Sequence, residues 1–556
     1  MDKKNFILGM VCLLIAFSLM VNQEKQVRTA LQTRAVAHES APVASEPAAM
    51  EAKQFVEAKP VDKVVAPSFV EKLVSLENAY MRVDFTNCGG AIRSLTLKKY
   101  QAEQNQKDAF VFNREASIPA LNLDWSVNSS VREYRVSACR NDFIQFVCEC
   151  EDGTEIIRGY RLPANDADNP YLIEHETAIH WGSHKRDHAY INLGMFVGTV
   201  GDRYQEYLNF GAFDGKKAEF VQTRDFEASN GFLGLGRKEA RNFVQVQKAL
   251  YWGSVKNQFF TAILTPREPA IAYYTRPGKA CHECGLPSIS GQLCFDLSGE
   301  KSLLSMSYYV GPKDFLLLNK MGKEQDQVMQ FGFFGGISKI LLMAMRGIHA
   351  YVPNWGWTII LLTFFIKLLM WPLTQAQFRA SKRMATIQAP LKEIREKFKS
   401  NPQKLQMETM KLFKTHRVNP AMGCLPVFVQ IPIFLGLYFM LRTSSEMRFQ
   451  SFLWIKDLSI ADTVAHLGAF PINVLPILMG ITMFIQMRLT PTPSVDNMQQ
   501  KIFMCMPFIF LIFCYQFPAA LVLYWTVQNI FTILQQSLTN RYGHAVEPQV
   551  ALNSKK

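Results

Sequence analysis

The sequence predicts an integral membrane α-helical protein with six transmembrane helices, five of them forming a core. To this it adds a large all-β sandwich domain outside the cytoplasm and a helical hairpin inside it. Three observations carry that fold class. Apolar runs near the start of the chain and after residue 353 are almost free of charge; about 250 residues between them alternate β-branched and aromatic segments with turn signals; and the loop 376–420 holds eleven basic residues against three acidic ones. Over all 556 residues the hydrophobic fraction of 49% is ordinary, but charged residues make up only 19%, below the ~25% of soluble domains. A fully disordered chain, a collagen and a coiled coil are excluded. The formal charge of +13 points to an acidic partner, whether nucleic acid, ribosome or anionic membrane.

Residues 1–21 open with Lys3-Lys4 and then run without charge from Phe6 to Val21. As a helix this run rises ~24 Å, short for a ~30 Å hydrocarbon core but sufficient if its flanks snorkel. It reads as an uncleaved signal anchor, because cleavage at the small-x-small triplet Ala16-Phe17-Ser18 would interrupt the apolar run. Residues 22–68, rich in Ala, Glu, Val and Pro without apolar periodicity, read as a flexible linker. From 69 to 320 the texture is that of strands: Ala91 to Leu97, Phe143 to Cys148 and Tyr171 to Ile179, with Asp152-Gly153 as a hairpin turn between two of them. A sandwich suits this length better than a barrel. In 331–352 the spacing of Ile337, Ile340, Leu341, Met345 and Ile348 predicts an amphipathic helix resting on the membrane interface.

The core, 353–540, has spans near 355–371, 423–441, 471–487, 502–517 and 518–536. The last two come from one apolar run divided at Phe517-Pro518-Ala519-Ala520, since 33 residues would make a helix of about 50 Å. The basic loop fixes the sides by the positive-inside rule. It is cytoplasmic, which puts residues 22–352 and the loop near 443–470 outside, and both termini, including the tail 541–556, inside. The β domain then belongs in a periplasm. Seven of eleven cysteines fall in it, where disulfides are permitted. Cys281-His282-Glu283-Cys284 is a single CxxC that identifies neither a metal nor a redox site, and no cofactor or metal is expected.

Lys367 is the one charge between Thr358 and Pro372, and a Lys at the centre of a membrane helix costs ~2.5–3.5 kcal/mol. Two readings stand side by side. With a helix end at Pro372, its stem could snorkel the remaining ~7 Å. Alternatively Thr363, one turn earlier, and Gln430, Gln486, Gln528 and Asn529 from other spans line a shared wet cavity with it. In the basic loop, Met384, Ile387, Leu391, Ile394 and Phe398 recur at 3, 4, 3, 4, and Leu405, Met410, Leu412 and Phe413 form a looser second face. Divided by Ser400-Asn401-Pro402, these make an antiparallel helical hairpin over 379–417, which is either a docking element or simply a solvated charged face.

Ordered motifs then carry a resemblance. Asn354-Trp355-Gly356-Trp357, Pro372-Leu373-Thr374, Gln388-Ala389-Pro390, Val418-Asn419-Pro420 with Gly423-Cys424-Leu425-Pro426, Gln430 to Phe434, Trp454 to Ser459, Leu475 to Gly480 and Leu521 to Trp525 follow in the order of the YidC membrane-protein insertases. Gly89 to Ile92, Lys256 to Phe260 and Tyr309 to Lys313 resemble the Gram-negative members with a large periplasmic domain. The resemblance implies a non-enzymatic insertase and folding chaperone of the bacterial inner membrane. In it a hydrophilic groove with one basic residue accepts the polar part of a nascent membrane protein, alone or beside the Sec translocon. It makes Lys367, Thr363, Gln430, Tyr524, Trp525 and Gln528 groove residues. Arg379, Lys382, Arg383, Lys392, Arg395, Lys397 and Lys399 become a recruiting element. The implied partners are nascent membrane proteins, the ribosome, the Sec translocon with its accessory subunits, and anionic lipids, with no direct nucleic-acid target. Lys367 stands where most relatives have Arg, which keeps the charge but loses the planar fork. The competing classes are a small-solute transporter, disfavoured by the lack of an internal repeat, and a membrane-tethered periplasmic carbohydrate-binding protein, for which Glu174 and His175 show no spacing of a catalytic pair.

Overall fold

The computed structural model describes residues 69–542, apart from 105–107, 127–130, 166–167, 200–201, 203–204, 229–237, 279, 282–284, 299–301, 417, 419–424, 469 and 490–496. The anchor 1–21, the linker 22–68, nearly all of the tail, most of the CxxC and the 419–424 motif lie outside the described residues.

Strands run from Leu73–Glu77 to Leu303–Pro312 in three antiparallel sheets. The first pairs Leu73–Glu77, Met81–Thr86, Ala91–Gln101 and Ala109–Phe112 in chain order. A nine-stranded sheet is centred on Phe260–Pro266, Leu303–Pro312 and Leu172–His180, and a five-stranded sheet on Ser288–Asp296, between Ala270–Gly278 and His188–Val197. Alternation explains which faces meet. In Leu172–His180 the residues Ile173, His175, Thr177 and Ile179 are buried while Glu174 and Glu176 are exposed, the period of two of a half-buried strand. The two larger sheets press together so closely that a Cβ on Gly291 would lie 2.2 Å from the Phe210 ring. The four-stranded sheet adds Phe85, whose ring centroid is 5.0 Å from that of Tyr160. The expected turn is present: Gly153 has φ 78 and its N–H donates to the Cys150 carbonyl at 3.0 Å, a conformation that glycine adopts without penalty.

Glu174 and His175 therefore occupy opposite faces, and His175 is committed to the core. Arg158, fully buried, can only donate, so the His175 Nε2 at 3.1 Å accepts and Nδ1–H donates to the Gly159 carbonyl at 2.9 Å. Burial, assisted by the Arg158 charge, holds the imidazole well below its usual pKa, so it stays neutral.

Nine helices follow among the described residues: α1 (Phe315–Lys320), α2 (Gly335–Tyr351), α3 (Trp355–Thr386), α4 (Gln388–Lys397), α5 (Pro402–Thr415), α6 (Leu425–Thr443), α7 (Val474–Leu489), α8 (Asn497–Cys514) and α9 (Ala519–Tyr542). Their starts follow capping chemistry. Asp314 accepts from the Leu316 and Leu317 N–H groups, Asn354 from Trp357 and Asn401 from Lys404.

Several boundaries depart from the sequence reading. The span expected to close at 371 continues to Thr386 through Pro372, and the Thr374 hydroxyl bonds the Met370 and Trp371 carbonyls in the turn that the proline disturbs. Arg379, Lys382 and Arg383 thus stand on α3 rather than on the hairpin, which consists of α4 and α5. The 384–398 seam is broken at Ile387, although Met384 and Ile387 still pack with Val418, Leu412 and Phe413; Met410 is exposed. Pro471–Asn473, expected to begin a span, is a strand paired with Thr463–Leu467. The 331–352 helix is docked as well as amphipathic: Ser338, Leu341, Leu342 and Met345 face inward, with the Ser338 hydroxyl donating to the Gly436 carbonyl on α6 at 2.9 Å, while Ile340 and Met343 face outward.

Three arginines join the β region to the helices. Arg346 on α2 pairs with Asp314 at 2.8 Å and with Glu446. Arg442 on α6 pairs with Asp202 at 3.3 Å and Glu206 at 2.8 Å. Arg448 donates to the Gln101 and Ala102 carbonyls. Close packing accompanies the ion pairs: at the start of α3, a Cβ on Gly356 would lie 2.1 Å from the Phe452 ring. Gly356→Ala is expected to destabilise the chain by about 1–3 kcal/mol through overpacking. Gly347→Ala, with nothing within 4 Å of its Cβ, should be neutral or gain up to ~1 kcal/mol of helix propensity; thermal unfolding of both variants in detergent checks this.

Behind Arg442, Lys313 is buried with its ammonium lacking a hydrogen-bond partner among the described residues, 5.1 Å from the centroid of the Tyr207 ring. Burial pushes its pKa down to about 7, opposed by the nearby Asp202 carboxylate. The unfolded chain then binds the extra proton between about pH 7 and the ~10.4 of free Lys, so folding stability should rise with pH across that window, by up to ~1.4 kcal/mol per unit. A pH series of thermal midpoints should show this slope, and Lys313→Met should flatten it.

Candidate functional site

The helical half is arranged with apolar groups outward and polar groups inward. Leu369 on α3 is 74% exposed and Ile512 on α8 75%, and Phe428 (α6), Ile481 (α7) and Leu534 (α9) also face out. Thr363, Lys367, Thr374, Asn529, Thr532, Gln535 and Gln536 are buried. Such an exterior suits hydrocarbon rather than water. Among the described residues α3 is the helix long and apolar enough to cross a membrane by itself, while the apolar stretches Phe428–Thr443, Val474–Leu489 and Cys505–Cys514 are shorter.

The buried polar groups form a seam between α3 and α9. Lys367 Nζ donates to Thr532 Oγ1 at 2.8 Å, Gln535 Nε2 to Thr374 Oγ1 at 2.7 Å, and Gln375 Nε2 to Thr539 Oγ1 at 2.8 Å. Partner numbers rise together, so the two helices run parallel. The seam follows from spacing: Tyr524, Gln528, Thr532, Gln535 and Thr539 recur at four, four, three and four and share one face of α9. At its upper end Gln430 on α6 donates to the Tyr524 hydroxyl. Gln528 lies between Tyr524 and Thr532, and its buried Oε1 has no hydrogen-bond partner among the described residues.

The predicted residues therefore divide. Lys367, Gln430, Tyr524 and Gln528 lie along the seam, and Thr363 is buried one turn above Lys367 with its hydroxyl donating to its own helix at the Ile359 carbonyl, 2.7 Å away. Trp525 points elsewhere, with ring centroids 4.6 Å from Phe434 and 4.9 Å from Phe510. The snorkelling reading of Lys367 loses its premise, since α3 does not end at Pro372. Twelve residues separate Lys367 from Trp355 and twelve from Arg379, ~18 Å either way, and its side chain turns to Thr532. Sequence reasoning missed Thr374, Gln375, Thr532, Gln535 and Thr539; the four-residue recurrence of hydroxyls and amides along α9 was the available signal. On the hairpin side Arg379, Arg383, Lys392, Lys397 and Lys399 are exposed and Lys382 and Arg395 half-buried.

A family model described as 60Kd inner membrane protein matches residues 347–546, the stretch that carries the seam. The membrane protein insertase YidC of Geotalea daltonii is 29% identical over 502 residues, 86% of this chain and 90% of the relative. The membrane protein insertase YidC of Janthinobacterium sp. (strain Marseille) is 30% identical over 494 residues, 85% of this chain and 84% of the relative. The chain belongs to the YidC membrane protein insertase family. A solved structure, that of an active YidC insertase with its first transmembrane domain resolved, aligns with 87% of this chain and 95% of its own at 17% identity and a TM-score of 0.35. The similarity to the YidC relatives of Geotalea and Janthinobacterium extends well beyond the helices into the β region. Membership in the YidC family places the chain among transmembrane proteins of the inner membrane that act in protein transport.

Proposed function

We infer that this chain inserts nascent membrane proteins into the bacterial inner membrane without making or breaking a covalent bond, and that the α3–α9 seam is the path for their polar segments. The observation that carries this is a line of buried hydroxyls, amides and one ammonium inside helices whose outer surfaces are apolar. A polar segment that crosses ~30 Å of hydrocarbon loses its water partners at several kcal/mol per group. Exchange of the Lys367–Thr532 and Gln430–Tyr524 contacts for contacts to the segment would offset part of that loss, while the segment's apolar part stays against the outer faces of the helices. The Gln528 side-chain carbonyl oxygen, unpaired among the described residues, is a ready acceptor for a passing N–H.

In this reading α3, α6, α7, α8 and α9 are the five core spans, and residues 1–21 supply the sixth. The exposed cations Arg379, Arg383, Lys392, Lys397 and Lys399, with Lys382 and Arg395, lie on the cytoplasmic side by the positive-inside rule. They face ribosome and anionic headgroups, whose charge they complement. The β region then lies in the periplasm, the termini are cytoplasmic, and the Sec translocon is a partner for larger substrates. Photocrosslinkers at Thr363 and Gln430 should capture a nascent membrane protein on stalled ribosomes, with a lipid-facing control at Ile481 capturing its apolar segment. Absence of substrate adducts at both seam positions would refute the groove.

A further inference from the structure

Between α6 and α7 lies a two-stranded hairpin, Thr463–Leu467 paired with Phe470–Asn473, that the proposed function does not use. Its base is fixed to the helices. Thr463 Oγ1 donates to Asn473 Oδ1 at 2.7 Å, Asn473 Nδ2 to the Tyr515 carbonyl at 2.6 Å just beyond α8, and the Tyr515 hydroxyl to the Pro471 carbonyl at 2.6 Å. Beyond that base the hairpin is largely exposed, although the Phe470 ring lies 5.3 Å from that of Tyr515. Leu467 is 75% exposed and Phe470 58%, Val464 is also exposed, and the neighbouring Leu453 and Trp454 face outward beside it.

No Asp, Glu, Lys or Arg occurs from Thr463 through Met487. A short strand pair whose exposed side chains are apolar except for His466 lacks the Lys and Glu charges that keep exposed edges soluble. Helix length indicates what covers it. The charge-free part of α7, from Val474 to Met487, rises ~21 Å, against ~30 Å of hydrocarbon. At one end Arg488, in the last turn of α7, closes the apolar run. At the other end the uncharged chain continues only as this hairpin, at the level of Tyr515 and Trp454, residue types that settle at membrane interfaces. The missing ~9 Å corresponds to about three residues of strand.

We propose that the 463–473 hairpin dips into the lipid at the α7 N-terminal end of the bundle, extending the apolar surface of a helix too short to span alone. The occupant is phospholipid, and the inference rests on the membrane placement of the helices and not on the insertase activity. The test uses the full chain in phospholipid nanodiscs, with benzoylphenylalanine introduced separately at Leu467, Phe470 and, as a reference on α3, Leu369. Ultraviolet irradiation should add the mass of one phospholipid at all three positions. Adducts at Leu369 but not at Leu467 or Phe470 overturn the hairpin proposal while the membrane placement stands. No lipid adduct at any position overturns both, and capture of a protein instead of lipid at Leu467 replaces the proposed occupant.

Discussion

Lys367→Ala is expected to reduce insertion of a membrane-protein substrate about tenfold to a hundredfold, the equivalent of one charge-assisted hydrogen bond of about 1.5–3 kcal/mol, while leaving thermal stability unchanged or higher. The two readouts oppose each other for a physical reason. Lys367 is 5% exposed in the middle of α3 and is held by a single hydroxyl, Thr532. Its burial costs the folded membrane protein ~2.5–3.5 kcal/mol on insertion scales, which alanine recovers. A structural lysine would show the reverse, full activity in chain that unfolds more easily. Lys367→Arg retains the charge and should retain most of the activity, although its planar fork fits the Thr532 hydroxyl differently. Insertion into vesicles and thermal unfolding of the same preparations decide between the two roles. Activity of the alanine variant equal to that of the parent would remove Lys367 from the mechanism.

Arg442→Ala is expected to cost about 3–5 kcal/mol, because it strands a buried carboxylate rather than merely removing a contact. Asp202 is 1% exposed, and Arg442 binds it together with Glu206; the Arg442 carbonyl also accepts from Gln258 Nε2 at 2.9 Å. Burial already raises the Asp202 pKa, so loss of the guanidinium should drive that carboxyl toward its protonated form. Arg442→Ala should therefore lose less stability at pH 5 than at pH 8. The double variant Arg442→Ala, Asp202→Asn, which leaves no unpaired charge at Asp202, should recover part of the loss. Unfolding monitored by protease susceptibility of the β region against the helices measures both effects, and a loss that does not depend on pH would point to packing rather than charge.

The strand texture from 69 to 320, the Asp152-Gly153 turn and the break at Ser400-Asn401-Pro402 were legible because each depends on local chemistry. The end of α3 was not. Pro372 is a sound local breaker, yet the helix continues past it because its packing against α9 outweighs one lost backbone bond. The hairpin at 463–473 was missed for a related reason: its uncharged apolar residues continue those of α7, and hydropathy alone does not separate a strand from a helix in such a run. Among the site residues, Lys367 stood out as a lone charge, but its partner lies 165 positions away. Trp525 was grouped with the seam through its neighbour Tyr524, and successive helical residues point about 100° apart, which carries its ring to Phe434 and Phe510.

By itself the sequence determined the strand-rich region from 69 to 320 and the apolar helical half after it, where the positive charge collects, and the family the chain resembles, since composition, periodicity and ordered motifs are properties of the chain read along its length. Only the tertiary structure decided that α3 and α9 run parallel with their hydroxyls, amides and single lysine in register, and that Arg346, Arg442 and Arg448 join the β region to the helices. Apart from Arg346–Asp314, those contacts bring together residues a hundred or more positions apart, and whether a side chain faces lipid or another helix depends on the packing of both.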